Sequence, residues 1–239
     1  NTVFDNASWG IDASGLTLVS NNQVYGQDGV GDYGIEVSGG ARAFQNLSYL
    51  NYDGIKATHG GVIEANRVFE NERYGIWANY ASPVIRNRVY DNSIGIFGAS
   101  SFYDRIENNL NYDNANQGII LSGASSGASP YHVVNNTVYQ LVGDAIRLQS
   151  NTNHSRIYNN ILWVDAGYDI FVDASSQNDF ISNHNILHTG VDINAHTGYW
   201  GGGVLDLLAH WQGATLQDTE SVDPNPEFVD IDGADNVLG

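Results

Sequence analysis

The sequence predicts an all-β parallel β-helix, a solenoid of about nine coils. Three observations predict it: a six-residue phrase that returns nine times, a second phrase in step with it, and short apolar runs parted by Gly, Asn, Ser and Asp. The first phrase reads Asn, any residue, a usually aliphatic residue, an aromatic, any residue and often Asn. It starts at Asn1, Asn22, Asn46, Asn66, Asn87, Asn109, Asn136, Asn160 and Asn185, so copies lie 20 to 27 residues apart. The second phrase is Gly-Ile, at Gly10-Ile11, Gly34-Ile35, Gly54-Ile55, Gly75-Ile76, Gly95-Ile96 and Gly118-Ile119. It decays to Ala145-Ile146 and Asp169-Ile170. A period of this length marks units that cannot bury a core alone and must stack. Runs such as Ile35-Glu36-Val37 alternate like strands and are too short for paired helices. The several Leu per unit of a leucine-rich repeat are absent. Each repeat then makes one coil of two or three short strands, and coils stack about 4.8 Å apart.

Taken in order along a coil, the head Asn side chains form a ladder, each amide bonding to the next coil, and Asn tolerates the left-handed backbone of a tight bend. The aliphatic residue two places on (Val3, Val24, Val68, Val89, Val138, Leu162, Leu187) points inward by period-two alternation. Ser48 and Asn111 interrupt that column, which predicts a bulge or shift in those two coils. The aromatic after it (Phe4, Tyr25, Tyr49, Phe69, Tyr90, Tyr112, Tyr139, Trp163, then His188) faces outward, either as corner packing or as a sugar platform. Ile11, Ile35, Ile55, Ile76, Ile96, Ile119, Ile146 and Ile170 stack in the core. The residues that follow them, Asp12, Glu36, Lys56, Trp77, Phe97, Ile120, Arg147 and Phe171, form an outward column.

These two phrases resemble the repeats of the right-handed parallel β-helix proteins of the pectin-lyase-like superfamily, which often read N-x-I-x-x-N…G-I-x-[LV]. The similarity covers roughly residues 1–188 and implies a right-handed helix, an extracellular or cell-surface location and a polysaccharide partner. Trp9-Gly10-Ile11-Asp12-Ala13-Ser14 and Tyr33-Gly34-Ile35-Glu36-Val37-Ser38 also resemble the Tyr-Gly-Phe-Asp-Pro-His stretch of β-helical mannuronan C5-epimerases. The aromatic, the Gly, the apolar residue and the acid are kept, while the Pro and the catalytic His are not.

The outward column supplies the candidate site. Asp12, Glu36 and Lys56 fall on adjacent coils, and a carboxylate pair beside an ammonium suits proton transfer at a sugar carbon or cleavage of a glycosidic bond. Asp53 and His59, in the same stretch, add an acid and a base. The alternative is a surface charge ladder in which Glu36 pairs with Lys56. Trp77 and Phe97, with Tyr33 and Tyr74 near one edge, would make a flat platform for pyranose rings, with Arg147 further along, or else a face covered by a neighbouring domain. The expected function is binding or processing of polysaccharide along this face by a lyase, epimerase or hydrolase if it is an enzyme. A non-catalytic structural or adhesive segment is the alternative, and the insert around Ser122–Tyr131 is the candidate wall of a groove.

Charge narrows the partners. With 27 acidic and 9 basic residues the net charge is −18, unsuited to nucleic acid or anionic membranes. No run approaches the roughly 20 apolar residues of a membrane span, and the absence of Cys leaves no disulfide framework. The first residue lies inside a repeat, so flanking domains of a longer chain are expected. Residues 1–188 read as coils and 189–239 as a C-terminal cap and acidic tail. After His188 the period is expected to end, with a loop at residues 199–203 and a short helix from Val204 to Trp211 that covers the open end. The segment around Asp223-Pro224 to Asp230 resembles one that follows the last coils of bacterial surface β-helix proteins. Asp230, Asp232 and Asp235 are spaced like part of a Ca²⁺ loop, a plain acidic turn being the alternative. No cofactor is otherwise required.

Overall fold

The computed structural model describes residues 1–99, 101–123 and 130–228 of the chain. Each coil contributes one strand to each of three parallel sheets. Among the described residues the phrase sheet has nine strands, from Thr2–Phe4 to Ile186–Thr189. The Gly-Ile sheet has ten, from Ile11–Ser14 to Ala195–Trp200 plus an antiparallel Gly203–Leu205. A third sheet has eight, from Leu18–Ser20 to Ile181–Asn183. The result is eight full turns and a ninth that passes into the cap.

Like residues sit over like. Val3 pairs with Val24, Val24 with Ser48, Ser48 with Val68 and Val68 with Val89. Ile35, Ile55, Ile76, Ile96, Ile119, Ile146 and Ile170 form a second inward column, none with measurable exposure. One continuous core runs from Ala13 to Trp211. Each fully buried aliphatic side chain favours the stacked coil by about 2–3 kcal/mol, which is why a unit this short is stable only with a neighbour on each side.

Corners are made by backbone geometry and amide ladders together. The residue before each head Asn is left-handed: Asn21, Gln45, Ala65, Arg86, Asn108, Asn135, Asn159 and His184 have φ between 54° and 58°. The bend therefore belongs to the preceding residue and not to the ladder Asn, whose own backbone stays aligned with the next coil. Each ladder Asn backbone N–H donates to the side-chain oxygen of the next Asn at 2.8–3.0 Å, from Asn22 through Asn185. A second ladder closes the phrase: Gln27, Asn51, Asn71, Asn92, Asn114 and Gln140 bond in succession at 3.1–3.2 Å.

The Gly of the second phrase has a steric cause. A Cβ on Gly54 would lie 2.4 Å from the Gly75 carbonyl oxygen and 2.5 Å from Val68 Cγ1. Strands of adjacent sheets meet there too closely for any side chain.

Three expectations are corrected. Ser48 and Asn111 cause no shift, since both stay in register. Ser48 Oγ donates to the Gly54 carbonyl at 3.0 Å, and Asn111 Nδ2 donates to that of Gly118 at 2.7 Å. Polar side chains fit this inner column because a backbone acceptor lies within reach. The period also continues past His188 in one sheet, where Tyr168, Ile170 and Phe171 pair with His196, Gly198 and Tyr199. Finally, Tyr199, Trp200 and Gly203 to Leu205 are not loop or helix but two strands of a hairpin, closed by Gly201 and Gly202 at φ 62° and 85°. The helix begins four residues later than expected and spans Leu208–Thr215. It seats Trp211 without exposure, edge-on to Phe180 and Trp200 at 6.1 Å.

Candidate functional site

The outward face of the Gly-Ile sheet carries the predicted column in the predicted order. Asp12 lies beside Glu36, Glu36 beside Lys56, Lys56 beside Trp77, Trp77 beside Phe97, Phe97 beside Ile120, Ile120 beside Arg147 and Arg147 beside Phe171. A column three residues earlier holds Tyr33, Asp53 and Tyr74 on successive coils. The glycine between the columns turns inward, so Tyr33 and Glu36 share the outer surface.

The pairing of Glu36 with Lys56 follows the charge-ladder alternative, while the ring contacts were not legible from spacing. Lys56 Nζ bonds Glu36 Oε1 at 3.1 Å and lies 4.4 and 4.5 Å from the ring centres of Tyr33 and Trp77. Those two rings stack across the intervening coil, 5.9 Å apart and 8° from parallel. Tyr74 stacks on Phe97 at 4.5 Å, and the Arg73 guanidinium sits 4.4 Å over Tyr74. The four rings thus form two stacked pairs instead of one flat sheet. Asp12 is exposed at the open end of the column.

Asp53 is fully buried and is gripped by Arg73 through both carboxylate oxygens, with the Tyr74 backbone N–H as a third donor at 3.2 Å. This hydrogen-bonded partner holds the Arg73 guanidinium above its already high range, and burial raises the Tyr74 phenol. His59 lies at the far end of the same strand, exposed and left-handed at φ 50°. It stacks on Tyr80 at 4.2 Å and bonds Thr58 Oγ1 at 2.6 Å. The fold therefore joins Glu36, Lys56, Tyr33 and Trp77 into one cluster and sends Asp53 and His59 elsewhere. A six-residue strand separates its two ends by roughly 16 Å.

Arg147 forms a third cluster. It bonds Asp144 at 2.7 Å and Gln149 at 2.8 Å, and its guanidinium lies 3.7 Å over Phe171, which stacks on Tyr199 at 4.5 Å. Burial raises the Asp144 carboxyl while Arg147 opposes it. Two polar atoms in the first cluster have no hydrogen-bond partner, Glu36 Oε2 and Trp77 Nε1. An acceptor and a donor left unpaired against one ammonium cost about 1–3 kcal/mol each.

The aromatic column of the phrase sheet is different in kind. Its rings from Phe4 to Tyr112 stack at 5.0–5.4 Å. Each ring face is covered by the next, so the column presents edges to solvent. Arg67 and Arg88 donate to the hydroxyls of Tyr90 and Tyr112 at 2.6 and 2.7 Å. Stacked face to face along the coils, these rings pack the corner of the phrase sheet. An open depression of about 760 Å³ lies on this side, lined by Thr2, Gln23, Leu47 and Arg67 among others, away from the Gly-Ile face.

Among the described residues no three His, Asp or Glu side chains gather to hold a metal ion, and no helix is long and apolar enough to cross a membrane. The predicted Ca²⁺ residues Asp230, Asp232 and Asp235 lie outside the described residues, as does most of the insert around Ser122–Tyr131.

In comparison with known proteins, a model of the family described as right handed beta helix region matches residues 1–138. Neither the curated proteins nor the solved structures contain a match to the chain. The family's own pattern thus spans more than half of a chain whose three parallel sheets wind coil upon coil, and the chain belongs to the right-handed β-helix family.

Proposed function

We propose that this protein binds polysaccharide along the outer face of the Gly-Ile sheet, without turning it over. The fold is compatible with a polysaccharide-associated or a structural role, and the side chains of this face favour the first. The observation that carries the reading is the pair of ring stacks, Tyr33 with Trp77 and Tyr74 with Phe97, on three coils that span four successive turns. At strand spacing they span about 14 Å, enough for a few sugar units. The outer edges of these rings offer apolar surface to a sugar chain, and neighbouring polar groups take its rim. Ser14 and Ser38 stand in register on the first two coils of the same face and supply such groups.

Binding is favoured over chemistry because three acids of this face are already engaged, and Asp12 stands alone at its open end. Glu36 is held by Lys56, Asp53 by Arg73 and Asp144 by Arg147. A module of this kind would act outside the cell or at its surface, joined to further domains. The structural reading has its own support in the unbroken ladders, which make a stiff rod whatever its face does.

The deciding experiment is retention on a polysaccharide array. Trp77→Ala is expected to abolish it while melting within a few degrees of wild type, and Trp77→Phe to keep part of it. Equal retention by Trp77→Ala and wild type would remove the binding reading and leave the rod. Incubation with alginate, pectate and neutral glycans should release no new reducing or unsaturated ends.

A further inference from the structure

All three cations of the described Gly-Ile face share one arrangement. Lys56 has Glu36 at 3.1 Å and the rings of Tyr33 and Trp77 at 4.4 and 4.5 Å. Arg73 has buried Asp53 on its Nε at 2.9 Å and the rings of Tyr74 and Tyr52 at 4.4 and 4.7 Å. Arg147 has Asp144 at 2.7 Å and Phe171 at 3.7 Å. Each positive charge is thus matched by a carboxylate of its own face and covered by an aromatic ring. Resting on the binding reading above, we infer that the ligand is a neutral polysaccharide and not a uronate or sulfated one.

The reason is electrostatic exchange. A uronate approaching any of these cations meets a carboxylate already at contact distance, and must either sit beside that like charge or displace it. Displacement would gain one ion pair, lose another and leave a protein carboxylate buried without its partner, which is strongly unfavourable. Asp12 adds a further exposed negative charge to the column, and the whole chain carries −18. An anionic polymer therefore meets net repulsion within the screening length, about 8 Å at physiological salt. No cluster of three His, Asp or Glu among the described residues is built to hold a bridging cation.

The groups left over are uncharged. Ser14 and Ser38 stand in register on the first two coils of the face, and Ser122 pairs with Gln149 further along. Hydroxyls both give and take hydrogen bonds, as the hydroxyls of a neutral sugar do, whereas a carboxylate only accepts.

The test is affinity electrophoresis of the whole chain against β-glucan, mannan and xylan as neutral polymers, and alginate and polygalacturonate as anionic ones. It is run in EDTA at about 20 mM and about 500 mM salt, where screening differs severalfold. The expected result is retardation by at least one neutral polymer, changed less than twofold by salt, and none by the anionic pair. Retardation by alginate or polygalacturonate that weakens with salt overturns the inference and leaves the binding face standing. Retardation by none of the five sinks the binding reading itself, and this inference with it. Glu36→Gln bares the Lys56 ammonium and should create salt-sensitive retardation by alginate where wild type has none. A Glu36→Gln protein that still ignores alginate overturns charge pairing as the cause.

Discussion

The side-chain amide of Asn185 donates to Asp218 Oδ1 at 2.9 Å, where every earlier ladder Asn meets another Asn. Ser221 Oγ takes the Asn185 backbone N–H at 2.8 Å, so the cap imitates the next coil. Asp218 also accepts from Trp211 Nε1 at 2.8 Å and from Ser221 Oγ at 2.5 Å. One buried carboxylate thus ends the ladder and anchors the capping helix.

Asp218→Ala should accordingly cost about 3 kcal/mol or more, since three donors lose a charged acceptor. Thermal unfolding should fall by roughly 6–12 °C at this chain length, with hydrogen exchange rising first in the last two coils. Asp218→Asn should recover part of the loss. A wild-type melt for Asp218→Ala would show that the cap does not complete the ladder.

Asp91 should give the fold a mild pH dependence. Burial, then its neighbour Asp113, raise its carboxyl from the usual 3.8 to about 6. The folded chain therefore holds this proton more tightly than the unfolded one, and the stabilisation is complete below about 3.8. It is lost as pH rises through about 6. Asp91→Asn should flatten the melting profile over that window and leave pH 3 unchanged. A wild-type profile in the variant would put the titration elsewhere.

Asp169 stands where earlier coils have Gly, fully buried with both oxygens unpartnered. Burial, reinforced by Asp218, raises its carboxyl well above the ordinary range. By the same sign, stability falls as pH rises above the unfolded value and this proton is lost. Asp169→Asn should therefore stabilise the chain at pH 8 more than at pH 4. Equal effects at the two values would refute a titrating Asp169.

Glycines should separate by position. Gly54→Ala drives a Cβ into the Gly75 carbonyl and Val68, and is expected to destabilise by about 2–3 kcal/mol. Gly213→Ala, in the capping helix with open space around it, should stabilise by about 0.5–1 kcal/mol. Denaturant midpoints measure both.

The repeat itself was readable because each coil states it anew. Val3, Val24 and Val68 announce one column, and Ile35, Ile55 and Ile76 another. Errors fell where a local rule met a neighbour on another coil. Ser48 and Asn111 looked like interruptions because carbonyls six and seven residues ahead are not visible as acceptors in the sequence. Val204 and Leu205 looked helical by apolar spacing, and hairpin pairing with Tyr199 and Gly198 overrode it. At the candidate site the column order was legible, but Lys56 meeting Tyr33 and Trp77 was not, because those rings belong to coils above and below it.

By itself, then, the sequence determined the solenoid, its strand columns and its Asn ladder, since a periodic chain can satisfy inward packing and backbone bonding only by stacking like on like. Tertiary structure alone decided which rings cover Lys56 and what holds the buried acids. Arg73 to Asp53 and Asn185 to Asp218 are contacts 20 or more residues apart. Their formation depends on side chains reaching between coils, over distances that spacing along the chain does not encode.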